Sequence, residues 1–529
     1  MAQPQQNINV AAPGFNGLNT QDSPVQLGLE WASVADNCVI DRYGRIAARR
    51  GFQQVTSNPD ILNDNEIKTL GQFTDETGKS FLFACGNNTI YLQQQVAPFE
   101  LVPMVLPVDY GTIDADNWDF AALNDEFYFV QRGQRPLKFS PAVSETDLVY
   151  WSEEPTALPG FPSAGFPNAI TAGFGRIWCS DFDDDKSVVS YSSLLDGDNY
   201  TIDAGFFELE AYWPSGYDRV TAVKAWNNFM VVFGERSILV YSIGDAGPTT
   251  SAALADTIEG VGCIARDSVV PFGTDLMFVD ATGVRSLGRT IQEKSVPIGD
   301  MSYTVRNDFQ FALNVEAQDD IKAVYHVEDS FYAVFLPSNP KTYVFDLRRL
   351  LENGAARATQ WVNITPQCGV RTRERETYFG GRYGVYQYIG TEDAVARTDA
   401  EEVALQPIDM TYVSHPQNFG TPANLKFPKQ VDVTVIGGRA VDLFIKWAYD
   451  FSNTFKTKKT FLTSGELTYW NISEWDTAGE YTQGDLLQTP RFNIWGSGRN
   501  IKVGFDISVA GGPFSIQEIN IQALQGRIL

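Results

Sequence analysis

A pattern of paired apolar runs recurs along this chain at a nearly constant spacing. In the clearest copy, Asn227-Asn228 and Gly234–Ser237 separate the runs Val220–Trp226, Phe229–Phe233 and Ile238–Tyr241. Asn and Gly at such points allow the tight connections of antiparallel hairpins. Weaker copies have their central turns at Thr77, Asn124, Phe174, Thr274, Glu328 and Arg375. Consecutive turns therefore lie 47 to 54 residues apart.

A period near ~50 residues, with three or four strands per unit, is typical of β-propellers. One blade alone leaves both faces of its sheet in water, and radial packing of blades buries those faces. We therefore predict an all-β chain with a six- or seven-bladed β-propeller at its centre. A large β-sandwich with evenly spaced strands is the alternative. The pair Trp118-Asp119 does not recur, so it does not indicate a WD40 repeat.

The two ends of the chain lack the repeat. Residues 1–55 predict an extended N-terminal arm that docks on the C-terminal domain or on a neighbouring molecule. The propeller is predicted over residues 56–400, and the polar stretch Thr391–Ala404 contains its boundary. Residues 401–529 include alternating runs such as Val431–Ile436, which predict an additional C-terminal antiparallel β domain with one face in water.

Helix is predicted at only two places. The better one is Asp346–Asn353, where Asp346 would cap the start and Gly354 the end. A second, short helix is predicted near Glu30–Asn37.

The charge of the chain disfavours a protein that grips nucleic acid. It has 40 Lys and Arg against 65 Asp and Glu, which gives a formal net charge of −25. Affinity for DNA comes mainly from cationic groups that neutralise phosphates. An acidic surface suits a conduit that DNA passes without binding, and the alternative is that the charge only keeps the protein in solution.

The cysteines indicate neither a disulfide framework nor a metal site. The five are odd in number and far apart: Cys38, Cys85, Cys179, Cys263 and Cys368. We expect free thiols, which suit a reducing cytosol, and we expect some of them, such as Cys85 in the apolar run Phe81–Cys85, in the core. No basic and apolar secretory signal opens the chain, and no window of about 18 apolar residues predicts a membrane span.

Several segments resemble a known family of viral proteins. The opening segments are Pro13–Asn19, Asn37–Arg45 and Arg50-Gly51-Phe52, and the later ones are Trp226–Gly234, Gly260–Cys263, Phe272–Asp280 and Phe514–Ile521. Together they resemble the tail nozzle family of podoviruses, which includes tail tubular protein B and the packaged-DNA stabilisation proteins. The resemblance spans most of the chain and is one of pattern, since no single motif is diagnostic.

The resemblance implies a structural virion protein without enzymatic activity, located in the phage tail and assembled in the host cytoplasm. It implies a homohexameric ring below the portal and the tail adaptor protein, in contact with tail fibre or spike proteins. The ring would continue the DNA-ejection channel and help retain packaged DNA, with no sequence-specific DNA binding. It implies no catalytic residue, no cofactor and no metal.

Two acidic clusters are candidates for metal sites. Asp181, Asp183 and Asp185 match the first, third and fifth positions of an EF-hand loop. Lys186 and Ser192 stand where that loop needs Gly and Glu, so a solvated blade loop is the better interpretation. The cluster Asp196–Asn199 is interpreted as a tight turn, because Asp, Gly and Asn favour turns.

Catalytic interpretations find little support in the sequence. Nucleophilic catalysis needs a base beside the nucleophile, and the chain has only His326 and His415. His326 lies in the apolar run Val324–Val327 and is expected in the core. The charged run Arg371–Glu376 is expected to be a solvated loop. Accidental carboxylate pairs keep a propeller glycan hydrolase open as an alternative function, and a receptor-binding tail module is another.

Overall fold

The computed structural model describes residues 5–94, 99–151, 165–201, 203–244, 247–292, 300–394, 405–463 and 487–528. The protein is 52% strand and 7% helix. It contains a β-propeller and further β-sheets, so the predicted fold class is confirmed.

The first strands of the chain belong to three different sheets. They are β1 (Gln5–Ala11), β2 (Gly17–Leu18), β3 (Trp31–Asp36), β4 (Cys38–Ile40), β5 (Ile46–Ala48) and β6 (Phe52–Gln54). The predicted helix near Glu30–Asn37 is wrong, because β3 occupies this segment. The strand forms because Ala32–Asp36 pairs with Thr411–Ser414, a partner that only the tertiary fold brings close.

Four four-stranded antiparallel sheets follow in chain order. Their strands are β7 (Ile67–Thr74), β8 (Ser80–Gly86), β9 (Thr89–Gln93) and β10 (Leu101–Pro103); β11 (Asp119–Leu123), β12 (Glu126–Gln131), β13 (Gln134–Phe139) and β14 (Val149–Tyr150); β15 (Pro167–Gly173), β16 (Arg176–Phe182), β17 (Val188–Tyr191) and β18 (Gly205–Glu208); β19 (Val220–Trp226), β20 (Phe229–Gly234), β21 (Ser237–Ile243) and β22 (Ala252–Glu259). A single-turn helix α1 (Pro248–Ser251) precedes β22. These sheets are blades one to four.

The fifth sheet has three strands, β23 (Val270–Phe272), β24 (Asp275–Asp280) and β25 (Gly283–Ser286). The helices α2 (Leu287–Gln292) and α3 (Arg306–Val315) follow where the other blades have a fourth strand. Short 3-10 turns lie at Pro59–Leu62, Arg266–Ser268, Tyr303–Val305 and Gln318–Asp320.

Blade six consists of β26 (Lys322–His326), β27 (Phe331–Leu336), β28 (Lys341–Asp346) and β29 (Arg357–Val362). The last blade consists of β30 (Cys368–Arg371), β31 (Thr377–Gly381) and β32 (Gly384–Tyr388), and β6 from the N-terminal segment is its fourth strand. The ring thus has six four-stranded blades and one three-stranded sheet.

The predicted helix over Asp346–Asn353 is also wrong. Asp346 is the last residue of β28, and turns follow it. Its carboxylate does not cap a helix, because it is buried and accepts a hydrogen bond from Arg357 Nε at 3.0 Å.

Apolar contacts join every blade to the next one around the ring. Phe83 of β8 packs against Phe127 and Phe129 of β12, and comparable clusters lie between the later pairs. The ring is closed by a cluster in which Ile67 and Leu70 of blade one lie with Val385 of the last blade. The predicted turns fall between the first and second strands of the blades, where Asn124 and Asn227 adopt positive φ.

Strands β33 (Asp393–Ala394) and β34 (Leu405–Gln406) extend the sheet of the last blade beyond β6. The remaining strands form two packed sheets with each other and with the N-terminal segment. They are β35 (Ile408–Ser414), β36 (Asn424–Gly437), β37 (Asp442–Tyr449), β38 (Lys456–Phe461), β39 (Leu487–Gln488), β40 (Arg491–Asn493), β41 (Ile501–Val509) and β42 (Phe514–Ile528). Val433 and Ile519 of one sheet share a core with Ile445 and Phe505 of the other.

The N-terminal strands connect this C-terminal unit to the propeller. Strand β1 pairs antiparallel with β42 over its whole length. Strands β2 and β3 lie between β29 and β35, so blade six continues into the C-terminal unit as one ten-stranded sheet. The propeller and the C-terminal unit are therefore joined by continuous β-sheet pairing through β2 and β3.

Candidate site at the propeller mouth

The first strands of the blades begin at one end of the propeller axis, and buried charged residues meet there. Lys322, the first residue of β26, is only 5% exposed. Its Nζ donates to the carbonyl of Lys68 at 2.8 Å and to Oδ1 of Asn117 at 2.7 Å. It also lies 3.2 Å from Oδ2 of Asp267. One ammonium group therefore connects three other blade entrances.

Arg266 extends this cluster to the third blade. Its Nη1 donates to the carbonyl of Asn168 at 2.5 Å, and its Nη2 donates to the carbonyl of Asn117 at 3.0 Å. Burial acts to raise the pKa of Asp267, but Arg266 and Lys322 outweigh it and lower that pKa to about 2. We call Lys322, Arg266 and Asp267 the axial hub.

The axial hub links the entrances of blades one, two, three and six and of the three-stranded fifth sheet. It is satisfied by carbonyl, amide and carboxylate oxygens from those blades, as buried charges require. At this end the side chains of the axial hub therefore bridge blades that are not neighbours in the ring.

A pocket of about 620 Å³ lies beside the axial hub, and we call it the acidic mouth. Its lining is Asp64, Asn65, Glu66, Lys68, Asn87, Asn88, Asp114, Ala115, Asp116, Asn117, Ala317, Asp319, Asp320, Lys322 and Arg382. Six carboxylates thus face three cationic groups, and no aromatic side chain is in the lining. The balance of charge favours a cationic occupant.

Asp116 is the lining acid with an unsatisfied oxygen. It is 7% exposed, and its Oδ2 accepts a hydrogen bond from the backbone N–H of Asn88 at 3.0 Å. Its Oδ1 is buried and has no hydrogen-bond partner among the described residues. Burial raises the pKa of Asp116, and burial likewise raises the pKa of Glu66. Because Oδ1 has almost no accessible surface, protein atoms enclose it and it is not open to an occupant of the pocket.

Two ion pairs shape the rim of the acidic mouth. Arg382 Nε lies 2.9 Å from Oδ1 of Asp64, and Lys68 Nζ lies 3.7 Å from Oδ1 of Asp320.

The sequence analysis did not predict this pocket, although the sequence contains a signal for it. Asp114, Asp116, Asp319 and Asp320 all lie within a few residues before the first strand of a blade.

The solvated-loop interpretation of the Asp181 cluster is wrong for Asp181 itself. This residue belongs to β16, is 1% exposed and pairs with Arg132. It also accepts a hydrogen bond from Asn168 Nδ2 at 2.9 Å. The carboxylate of Asp181 can be buried because Arg132 and Asn168, from neighbouring elements, supply its charge and hydrogen-bond partners. Asp183 and Asp185 do lie in the loop after β16 and accept backbone hydrogen bonds.

The predicted turn at Asp196–Asn199 is confirmed. Asp196 Oδ1 accepts a hydrogen bond from the backbone N–H of Asp198 at 3.1 Å, as in turns that Asp stabilises. The carbonyl of Gly197 accepts a hydrogen bond from Trp151 Nε1 at 3.0 Å, which holds the turn against blade two.

Both histidines are buried structural residues. His326 Nδ1 lies 2.8 Å from Oγ1 of Thr377, and its ring packs against Phe331. The prediction that His326 lies in the core is confirmed. His415 Nε2 donates to the carbonyl of Asn19 at 2.7 Å, and burial lowers the pKa of His415.

Other sequence predictions lie away from the acidic mouth. Within the run Arg371–Glu376, Arg371 ends β30 and the following residues form the turn before β31, which is exposed except at Thr372 and agrees with the predicted loop. All five cysteines are free, as predicted, and all five are buried, whereas the sequence indicated core positions for only some of them. In the described ranges no group of three or more His, Cys, Asp or Glu side chains is arranged to hold a metal ion. No helix in the described part of the chain has the length and apolar character needed to cross a membrane.

Comparison with known proteins finds only distant structural similarities. No protein-family model and no curated protein matches the chain. The extracellular domain of a hybrid two component system from B. thetaiotaomicron is 13% identical with a TM-score of 0.30, and the match covers 74% of this chain and 40% of that one. Saccharomyces cerevisiae Sqt1 is 9% identical with a TM-score of 0.34, over 60% of this chain and 82% of that one.

An exo-beta-1,3-galactanase from Phanerochaete chrysosporium, solved with galactose, is 7% identical with a TM-score of 0.26, and the match covers 82% of this chain and 100% of that one. The chain spans about two fifths of the B. thetaiotaomicron protein's length. Similarities this distant carry no argument about activity.

Proposed function

We propose that this chain is a non-enzymatic structural protein of a short-tailed bacteriophage tail, a subunit of the nozzle ring below the portal and the adaptor. Six copies would surround the channel through which DNA leaves the virion. The observation that carries the proposal is the continuous β-sheet that joins the propeller and the C-terminal unit through β2 and β3. A ring under mechanical load needs subunits that do not hinge.

The axial hub supports a channel between copies and not through one propeller. Its charged groups lie across the axis and are held by oxygens of several blades. Opening the axis would leave these buried charges without partners, which is costly. DNA would therefore pass through the centre of the assembled ring.

The overall charge also supports the proposal. With a net charge of −25, the chain as a whole repels the phosphate backbone. DNA in contact with such a surface moves without being held. The same charge disfavours a role as a DNA-packaging or DNA-condensing protein.

Electron microscopy of the purified chain mixed with its portal and adaptor tests the proposal. We expect rings of six copies stacked on the adaptor, with each propeller axis closed and one channel at the centre. A chain that stays separate from both partners at micromolar concentrations would overturn the proposal.

The acidic mouth favours a glycan hydrolase as the second candidate. Asp116 and Glu66 have raised pKa values because they are buried, as a general acid requires, and other carboxylates lie in the same pocket. A glycan-release assay with envelope polysaccharides tests it. Release by the wild type that is lost in Asp116→Asn, with unchanged thermal stability, would replace the structural proposal.

A further inference from the structure

A second cleft lies between the last blade and blade one, at the opposite end of the strands from the acidic mouth. Strand β7 begins beside the acidic mouth and ends at this cleft, which has a volume of about 670 Å³. This volume is within the usual range for binding sites of small ligands. We call it the glutamine cleft, because six glutamines contribute to its lining: Gln53, Gln54, Gln72, Gln93, Gln94 and Gln387.

The pairing of the strands places these glutamines on two walls. On the last blade, Gln387 of β32 is directly opposite Gln53 of β6. On blade one, Leu82 of β8 is opposite both Gln72 of β7 and Gln93 of β9. Residues opposite each other on neighbouring strands project from the same face of a sheet. Each row of side chains therefore forms one wall of the cleft.

The wall of the last blade carries amide groups that are open to a ligand. Gln72 on the other wall is occupied, since its Nε2 donates to Oε2 of Glu374 at 2.9 Å. The side chains of Gln53 and Gln387 are partly exposed, have no hydrogen-bond partner among the described residues, and are not enclosed by protein atoms. Gln94 of blade one is exposed and is likewise without a side-chain partner among these residues. Each amide offers a carbonyl acceptor and two N–H donors.

Aromatic side chains lie beside these amides. Tyr378 of β31 is directly opposite Gln387, and its hydroxyl donates to Oε2 of Glu376 at 2.7 Å. Phe99, also in the lining, is 39% exposed. A sugar matches both kinds of group, because its C–H groups pack on an aromatic face and its hydroxyls hydrogen-bond to amides and carboxylates.

The other charged and backbone groups of the cleft are already paired. Lys79 is the cationic side chain of the lining, and its Nζ lies 2.6 Å from Oε1 of Glu145. A ligand rich in phosphate needs cationic groups, so nucleic acid is disfavoured. Both walls are sheet faces whose backbone groups are bonded within the sheets, so the cleft does not accept an added peptide strand. These features favour a neutral ligand rich in hydroxyls.

We propose that the glutamine cleft binds a neutral oligosaccharide. The neighbouring amides of Gln53 and Gln387 bind adjacent hydroxyls of one sugar unit, and Tyr378 packs against its ring. Gln94 binds the same ligand from blade one. The inference goes beyond the proposed function and does not depend on it, since it concerns binding by a single chain.

The position of the cleft gives the binding a second consequence. The last blade meets blade one here, so a ligand that contacts both walls joins the two blades that close the ring. A ligand that binds only the folded protein raises its stability by mass action. Binding should therefore raise the temperature of thermal unfolding.

Isothermal titration calorimetry of the full-length chain tests the proposal. The probes are four neutral hexasaccharides, built from glucose, mannose, galactose and N-acetylglucosamine. We expect at least one to bind with a dissociation constant below about 1 mM. The same sugar should raise the unfolding temperature in a scan of thermal stability.

Variants locate the site. Gln53→Leu with Gln387→Leu removes both open amides of one wall and should weaken binding at least about tenfold. Gln94→Ala, at an exposed position, should weaken it at least about twofold and tests the cleft even where the double variant fails to fold. Gln517→Leu is the matched control, because Gln517 is a partly buried strand glutamine of β42 and has no side-chain partner among the described residues. It should bind like the wild type.

Three outcomes would overturn the assignment. The first is that none of the four sugars binds to the wild-type chain. The second is that affinity is unchanged in Gln94→Ala and in the double variant, which would place the sugar elsewhere on the molecule. The third is that Gln94→Ala weakens binding of the adaptor while no sugar binds, which would make the cleft a protein interface.

The proposed function fails separately. A chain that binds a sugar through the glutamine cleft but ignores portal and adaptor removes the tail function and leaves the cleft. Rings on the adaptor made of a chain that binds none of the sugars remove the cleft's role and leave the function.

Discussion

Lys322 illustrates how one side chain can hold several blades together. Its ammonium group is almost fully buried, and oxygens of blades one and two and of Asp267 surround it. Burying a charge is unfavourable unless such partners are present. The residue therefore stabilises the closed ring only when all of these blades are in place.

We predict that Lys322→Met lowers the free energy of unfolding by about 3–5 kcal/mol, because it leaves Asp267 with one cationic partner fewer in a buried place. Urea denaturation followed by tryptophan fluorescence measures this. Lys429→Met, at an exposed position, is the control and should change stability by less than about 0.5 kcal/mol. A loss below about 1 kcal/mol in Lys322→Met would show that the axial hub is not a stabilising centre.

A second prediction at the level of single residues concerns His415. Burial lowers its pKa in the folded protein, so the unfolded chain takes up the proton first as the pH falls. Stability should therefore decrease as the pH drops below about 6.5, the unfolded value, until the lower folded pKa is reached. In His415→Gln, the side-chain amide N–H can still donate to the carbonyl of Asn19, and the side chain does not titrate. Urea titrations between about pH 7.5 and 5 should show a shallower decline for His415→Gln, and identical slopes would contradict the prediction.

Strand β6 shows how a short element from one end of the chain completes a blade at the other. It pairs with β32 through Phe52–Gln54, and Phe52 is fully buried. The ring of Phe52 lies 5.8 Å from that of Trp361 and 5.2 Å from that of Phe379. This aromatic cluster joins blade six, the last blade and the N-terminal segment.

We predict that Phe52→Ala lowers the free energy of unfolding by about 3–5 kcal/mol, since a large cavity remains. Hydrogen exchange should increase first in β31 and β32, which lose the closing strand. Phe444→Ala, at a position that is 38% exposed, is the matched control and should have a much smaller effect. Exchange that rises uniformly over all blades would argue against a local closing role for β6.

The whole molecule depends on the ten-stranded sheet that joins its two parts. Gly17 of β2 has φ +81°, and a Cβ there would lie 2.5 Å from the carbonyl oxygen of Ala358 in β29. Any side chain would push β2 away from blade six. This position therefore tests whether the propeller and the C-terminal unit unfold together.

We predict one calorimetric transition for the wild type and two for Gly17→Ala, with a lower first transition. Gly216→Ala is the control, because Gly216 also has a positive φ but a Cβ added there would have no described atom within 4 Å. It carries the backbone strain without the clash and should keep one transition. Two transitions in the wild type would mean that the shared sheet does not couple the two parts.

The sequence by itself determined the blades, because each hairpin depends on local features: apolar runs, turn residues and their regular spacing. It also indicated the turn at Asp196–Asn199 and the buried cysteines, for the same local reasons. Only the tertiary structure decided the strand β3, the end of β28 at Asp346 and the burial of Asp181. Each of these depends on partners outside the local segment.

The acidic mouth and the axial hub also depend on tertiary structure. Their residues come from several blade entrances, and no spacing in the sequence shows that Lys322 meets Asn117 or that Asp116 lies beside Asp320. Ring closure brings them together, because it directs the start of every first strand toward one axis. Local patterns specify a blade, whereas the long-range packing of blades specifies what meets at the centre.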